Sequence, residues 1–156
     1  DDMQEWPDTM MVTYEFGGKT PKILTYEMRV WSPYNMHGLS EGSAVYGDKG
    51  YIIIGNQSWR AYGPDDELLE EGRGEGHERA HVQDFIECVK SREKPYCDEE
   101  TVGHPSSVIC HAGNISVRIG RKLFLDADTE TFKGDDEANA LRGRSEWREP
   151  WVLPKV

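Results

Sequence analysis

Apolar and polar residues along this chain change period once, and the change divides it. From residue 10 to residue 62 the period is two, as in a sheet with one covered face. Met10–Phe16 reads as a strand, GGKTP as a turn, and KILTYEMRVW (22–31) as the returning strand. There Leu24, Tyr26, Met28 and Val30 take one face, while Thr25, Glu27 and Arg29 take the other. A long loop, SPYNMHGLSEG (32–42), leads to strands at Ser43–Gly47 and Tyr51–Gly55, joined around Asp48-Lys49-Gly50. Glycine at the end of that turn is free to take a positive φ. Asn56-Gln57 turns into a strand at Ser58–Tyr62, and Pro64-Asp65-Asp66 into a polar one near Leu68–Glu70. The strands form a meander.

Glycines 72, 74 and 76 close this region, and the period becomes helical. In residues 77–92, Ala80, Val82, Phe85, Ile86, Cys88 and Val89 make a broad apolar stripe. A loop over 93–103 precedes a second helix at 104–120, with Pro105 suited to its first turn. Leu123–Leu125 can add a strand and Asp135–Leu141 a short helix, with Trp147 and Trp151 as anchors of an extended tail. Strands first and helices second predict an α+β fold, an open and mainly antiparallel sheet with helices on one face. The second sheet face also carries Met, Trp and Tyr, so it is expected to be available for oligomerisation. The expected organisation is an α/β domain over 1–126 and a tail over 127–156.

Composition narrows the function classes. The chain has 156 residues, enough for one domain, with 37 % apolar and 10 % aromatic residues. Eighteen basic and 29 acidic side chains give a net charge of −11, without the Lys/Arg clusters that phosphate backbones require. Nucleic acid is therefore not an expected partner, and no apolar run reaches the roughly 20 residues of a membrane span. Three cysteines, Cys88, Cys97 and Cys110, leave one unpaired and form no C-x-x-C. The chain starts DDMQEWPDTMM without an initiator Met, so a piece of a longer protein is expected.

Several groups of residues invite chemistry. EEGRGEGHERAHV imitates a dinucleotide fingerprint, but His77 stands at the third glycine and the preceding LLEE is too polar for a buried strand. It reads as a linker. His77, Glu78 and His81 match H-E-x-x-H, the spacing of a zinc hydrolase, although His77 lies at the frayed start of the helix. His104, Cys110 and His111 share the second helix. At 100° per residue Val108, Ala112, Ile115 and Ile119 form an apolar stripe, and Ser106, Cys110, Gly113 and Val117 one of small residues. Cys110 is thus about 100° from His111, which excludes a nucleophile–base pair. Ser107, His111, Asn114 and Arg118 form a third stripe of hydrogen-bonding groups, as on a helix with a further partner. Trp31, Tyr34 and His37 mix aromatic and polar groups near a sheet end, where pockets are often lined.

EWPDTMMVTYEF, ILTYEMRVWSPY, GSAVYGDKGYIIIGNQSWRAY, HVQDFIECVKSREKP, TVGHPSSVICHAGNISVRIGRKL and DDEANALR…EPWVLP together resemble the C-terminal domain of Gfo/Idh/MocA-type oxidoreductases. The resemblance implies an N-terminal Rossmann domain holding NAD or NADP, and hydride transfer at a carbinol carbon of a sugar, cyclitol or related polyol. It implies subunit contacts through the open sheet face, giving a homo-oligomer. The family's Lys-Pro and His/Asp elements would precede this chain. Lys94-Pro95 falls between the two helices and is not that motif. No catalytic residue or cofactor-binding residue is therefore assigned here, and the chain alone is expected to be inactive. Trp31, Tyr34 and His37 are the expected substrate side, and Ser107, His111, Asn114 and Arg118 the expected inter-domain surface. The alternatives are a non-catalytic binding or scaffold domain, or a metal hydrolase on His77, Glu78 and His81. The expected compartment is cytoplasmic, with an exported or periplasmic protein as the alternative.

Overall fold

The structure is a computed structural model that describes residues 6–74, 78–144 and 147–151. In chain order the elements are β1 (Thr9–Phe16), β2 (Lys22–Arg29), β3 (Ser43–Gly47), β4 (Gly50–Ile54), β5 (Ser58–Tyr62) and β6 (Leu68–Arg73). Then follow α1 (Glu78–Ser91), a π-helical turn (Glu99–Gly103), α2 (His104–Ile119), β7 (Leu125–Asp126), β8 (Thr131–Phe132) and α3 (Asp136–Ala140). Every strand pairing is antiparallel, and the fold is α+β as the sequence predicts. The strands fall into separate sheets: β1-β2, β3-β4-β5-β6 and β7-β8. Two compact units are present, Asp1–Trp31 with Cys97–Val156, and Ser32–Tyr96.

In the first unit β1 and β2 pair from Thr9↔Arg29 to Phe16↔Lys22. Val12 and Tyr14 share one face, and α2 lies against it. The approach is close because position 113 is glycine: a Cβ there would collide with Tyr14 Oη and lie 3.6 Å from Val12 Cγ1. Tyr14 Oη donates to the Ile109 carbonyl at 2.9 Å, tying strand to helix. This is the stripe of small residues expected on the second helix. The apolar stripe meets the other side, where buried Ile115, Phe132 and Ala138 cluster with Ala112, Ile119 and Leu123. Residues 127–140, placed by the sequence at the head of the tail, hold β8 and α3 and supply two of those three core residues. Asn139 fixes this corner, accepting from Phe132 N and donating to Phe132 O, both at 2.8 Å. Asp135 caps α3 by accepting from Ala138 N and holds Arg121 at 2.8 Å.

Two local expectations are refined. The 93–103 loop contains the π-helical turn, whose N-cap Asp98 accepts from Thr101 N and Oγ1. On β2 the predicted covered face is only partly covered, since Leu24 and Tyr26 remain exposed. One helix of 16 residues crosses a hairpin without blanketing it.

In the second unit the meander closes around tight turns. Gly50 has φ +140°, and a Cβ there would strike the Tyr62 carbonyl, so the turn accepts only glycine. Trp59 lies across β6, and a Cβ on Gly72 would sit 2.7 Å from its Nε1. α1 runs over the predicted span, yet none of its residues is buried, and Val82, Phe85, Ile86 and Val89 are all exposed. Among the described residues no helix is long and apolar enough to cross a membrane.

Candidate functional site

The 32–42 loop contains a hairpin of its own. Met36 and Leu39 exchange both backbone hydrogen bonds, at 3.0 and 2.9 Å, around His37 (φ 52°) and Gly38 (φ 78°). Two consecutive positive φ values define a type I′ turn, which puts His37 at its tip. Arg60 Nη2 donates to the His37 carbonyl at 3.1 Å, pinning the turn to β5. The imidazole Nε2 and Tyr46 Oη are 3.0 Å apart.

His37 thereby joins a row of rings across the sheet. Tyr46, Tyr51 and Tyr62 are cross-strand partners on β3, β4 and β5. Their centroids are 5.4 Å apart for Tyr46–Tyr51 and 4.9 Å for the stacked Tyr51–Tyr62 pair. His37 lies 6.5 Å from Tyr46 and 6.3 Å from Tyr51. Tyr51 Oη donates to Asp66 Oδ1 at 3.0 Å. Loss of water around the phenol, and then the Asp66 carboxylate, push Tyr51 above the ordinary tyrosine range, so it stays a protonated donor. The face presents aromatic edges, hydroxyls, an imidazole and a carboxylate. Such groups bind by stacking and hydrogen bonding.

Of the expected substrate residues, Tyr34 belongs to the same loop and is 77 % exposed. Trp31 closes the other compact unit, where its Nε1 donates to Asp8 Oδ2 at 2.5 Å. Sequence reasoning passed over Tyr46, Tyr51 and Tyr62 as ordinary strand residues. Their signal was available, because each falls on one face of the period-2 meander.

The α2 stripe is organised as the helical wheel requires. Ser107, His111 and Arg118 are exposed, and Asn114 is half-buried. Ser107 Oγ donates back to the Gly103 carbonyl at 3.0 Å, and the Arg118 guanidinium lies 5.2 Å from the Trp6 ring centroid. Cys110 faces Tyr14 instead, whose hydroxyl is held above its usual range by burial and then by the Cys110 and Tyr26 charges. His104 pairs with Glu130. These placements separate His104, Cys110 and His111 into three environments.

Of the proposed zinc motif, Glu78 opens α1 and His81 is exposed on it, while His77 lies outside the described residues. Among the described residues no cluster of three or more His, Cys, Asp or Glu side chains could hold a metal. The glycine-rich segment does not fit a dinucleotide. Gly72 sits within antiparallel β6 under the Trp59 indole, not at a strand-to-helix turn with free amides. Its glycine is required by packing.

Residues 67–153, more than half of the chain, match the family model described as the oxidoreductase family, C-terminal alpha/beta domain. No curated protein and no solved structure gives a significant match. The matched span runs from β6 through α1, α2 and α3, so it covers the helical half that the strand–helix order had identified. The chain belongs to the Gfo/Idh/MocA oxidoreductase family, by way of its C-terminal α/β domain.

Proposed function

We propose that this chain is the substrate-side and oligomerisation domain of an NAD(P)-dependent oxidoreductase acting on a sugar, cyclitol or related polyol. An N-terminal Rossmann domain would bind NAD or NADP, and the nicotinamide supplies hydride acceptance or donation at a carbinol carbon. The family match over 67–153 carries the reading. Two features of the chain support it. The outward stripe Ser107, His111, Asn114 and Arg118 offers short hydrogen-bonding groups instead of the Lys and Glu of a solvated face, which suits docking on a neighbouring domain. On the outer face of the β1–β2 hairpin, Met11 and Ile23 are 64 % and 70 % exposed, which suits a homo-oligomeric contact. Trp31, Tyr34 and His37 are the residues assigned to the substrate side.

The test begins with the coding sequence upstream of Asp1, followed by expression of the whole protein. A strand–glycine turn–helix unit and Lys-Pro and His/Asp elements are expected there, together with polyol-dependent reduction of NAD or NADP. His111→Ala and Arg118→Ala should lower that turnover while leaving the circular dichroism of the 156-residue chain unchanged. An upstream sequence without a nucleotide domain, or a whole protein that binds neither NAD nor NADP, overturns the proposal.

A further inference from the structure

The row of rings exceeds what the sheet needs for its own packing. Cross-strand aromatic pairs stabilise a sheet through the ring area they cover. Tyr46 is nevertheless 65 % exposed, and β3 is an edge strand of its sheet. One side of its ring is taken by Tyr51, and among the described residues no strand of this sheet pairs with the other side of β3. The stacked Tyr51 and Tyr62 hold Tyr46 upright, and the Nε2 of His37 fixes its hydroxyl. Arg60 in turn fixes the turn that carries His37. His37 Nδ1 has no partner among the described residues. An aromatic face and a hydrogen-bonding ring nitrogen are thus held at one place by groups that are themselves anchored.

The chemistry of a fitting ligand follows. A net charge of −11 and the flanking Asp66 oppose an anion. A purely apolar ligand would cover His37 Nδ1 without giving it a hydrogen-bond partner. A neutral ring with a C–H face and a hydroxylated rim satisfies both. We infer that Tyr46 and His37 form a binding subsite for a pyranose or cyclitol, its C–H face on Tyr46 and a hydroxyl on His37 Nδ1. This deepens the function proposed above and rests on it for the ligand's role as substrate.

Saturation-transfer NMR on the 156-residue chain, with myo-inositol and D-glucose as probes, tests it. Transfer to the ring protons of at least one probe is expected. Tyr46→Ala should weaken binding about two- to tenfold, the worth of one stacked aromatic. Tyr46→Phe, which keeps the ring and the sheet, should retain most of it, and His37→Ala should weaken it. No transfer from either probe, or binding indifferent to Tyr46→Ala, overturns the subsite. The two proposals fail separately. Probe binding that depends on Tyr46, in a whole protein without dehydrogenase activity, leaves the subsite and removes the function. Whole-protein turnover with KM unchanged by Tyr46→Ala does the reverse.

Discussion

Exchanging Gly113 for alanine pits two terms of opposite sign against each other. In a helix interior alanine is better than glycine by about 1 kcal/mol. Here the new methyl would collide with Tyr14 Oη and stand 3.3 Å from Tyr14 Cζ. The tyrosine must swing aside and release the Ile109 carbonyl, a loss of about 1 kcal/mol. Forcing the strand off the helix adds about 1–3 kcal/mol of overpacking. Gly113→Ala should therefore destabilise by about 1–3 kcal/mol, against its helix propensity. Tyr14→Phe alone should cost about 1 kcal/mol, since the Ile109 carbonyl keeps its helical N–H partner. In that background the colliding oxygen is gone and the ring need give way only slightly, so Gly113→Ala should become neutral or stabilising. The cycle predicts a coupling of about 2 kcal/mol. Urea unfolding of the four proteins, followed by far-ultraviolet circular dichroism, measures it. A stabilising Gly113→Ala in the parent chain, or a cycle additive within about 0.5 kcal/mol, refutes the α2–β1 packing.

Three further outcomes are expected. Asn139→Ala removes the partner of the Phe132 amide and leaves the Phe132 carbonyl only the 3.4 Å contact from Asp135 N, so it should cost about 1–3 kcal/mol in urea; an unchanged midpoint would exclude this role for Asn139. The Thr129 amide, then Lys133, hold the Asp126 carboxyl down at about 2. Because the folded value lies below the unfolded one of about 3.9, its stabilisation is complete above that pH and is lost as pH falls toward about 2. Asp126→Asn should flatten the melting temperature across that window, and an unchanged slope would exclude the assignment. Gly72→Ala should displace the Trp59 indole and shift its Nε1–H NMR resonance; an unmoved resonance would mean that the ring does not lie across β6.

What the sequence made legible was local. Gly50 announced its turn because only glycine fits under the Tyr62 carbonyl, and the two helices announced themselves by spacing. The wheel of α2 also sorted its faces correctly, since Gly113 and Ile115 meet different neighbours. The π-helical turn was missed because its cap at Asp98 resembles any Asp in a polar loop. The type I′ turn was missed because His-Gly is a weaker hairpin signal than Asn-Gly or Asp-Gly. The tyrosine row required register as well as alternation: Tyr46, Tyr51 and Tyr62 align only once both hairpin turns are counted correctly.

The stripe on α1 shows how spacing can predict a buried face without naming its cover. Val82, Phe85, Ile86 and Val89 recur as a core-facing helix demands, yet Phe85 is 62 % exposed in the structure of this chain. Covering the exposed half of four such side chains is worth on the order of 4 kcal/mol. A 14-residue helix is marginal without such packing, so α1 amides should exchange quickly in the 156-residue chain. If the whole protein covers the stripe, the same amides should slow by about a thousandfold, the factor that corresponds to that free energy. Hydrogen exchange on both forms reads this directly. Equal rates would mean that the stripe stays uncovered in the whole protein, and that its helical spacing reflects the propensity of α1 and not a buried face.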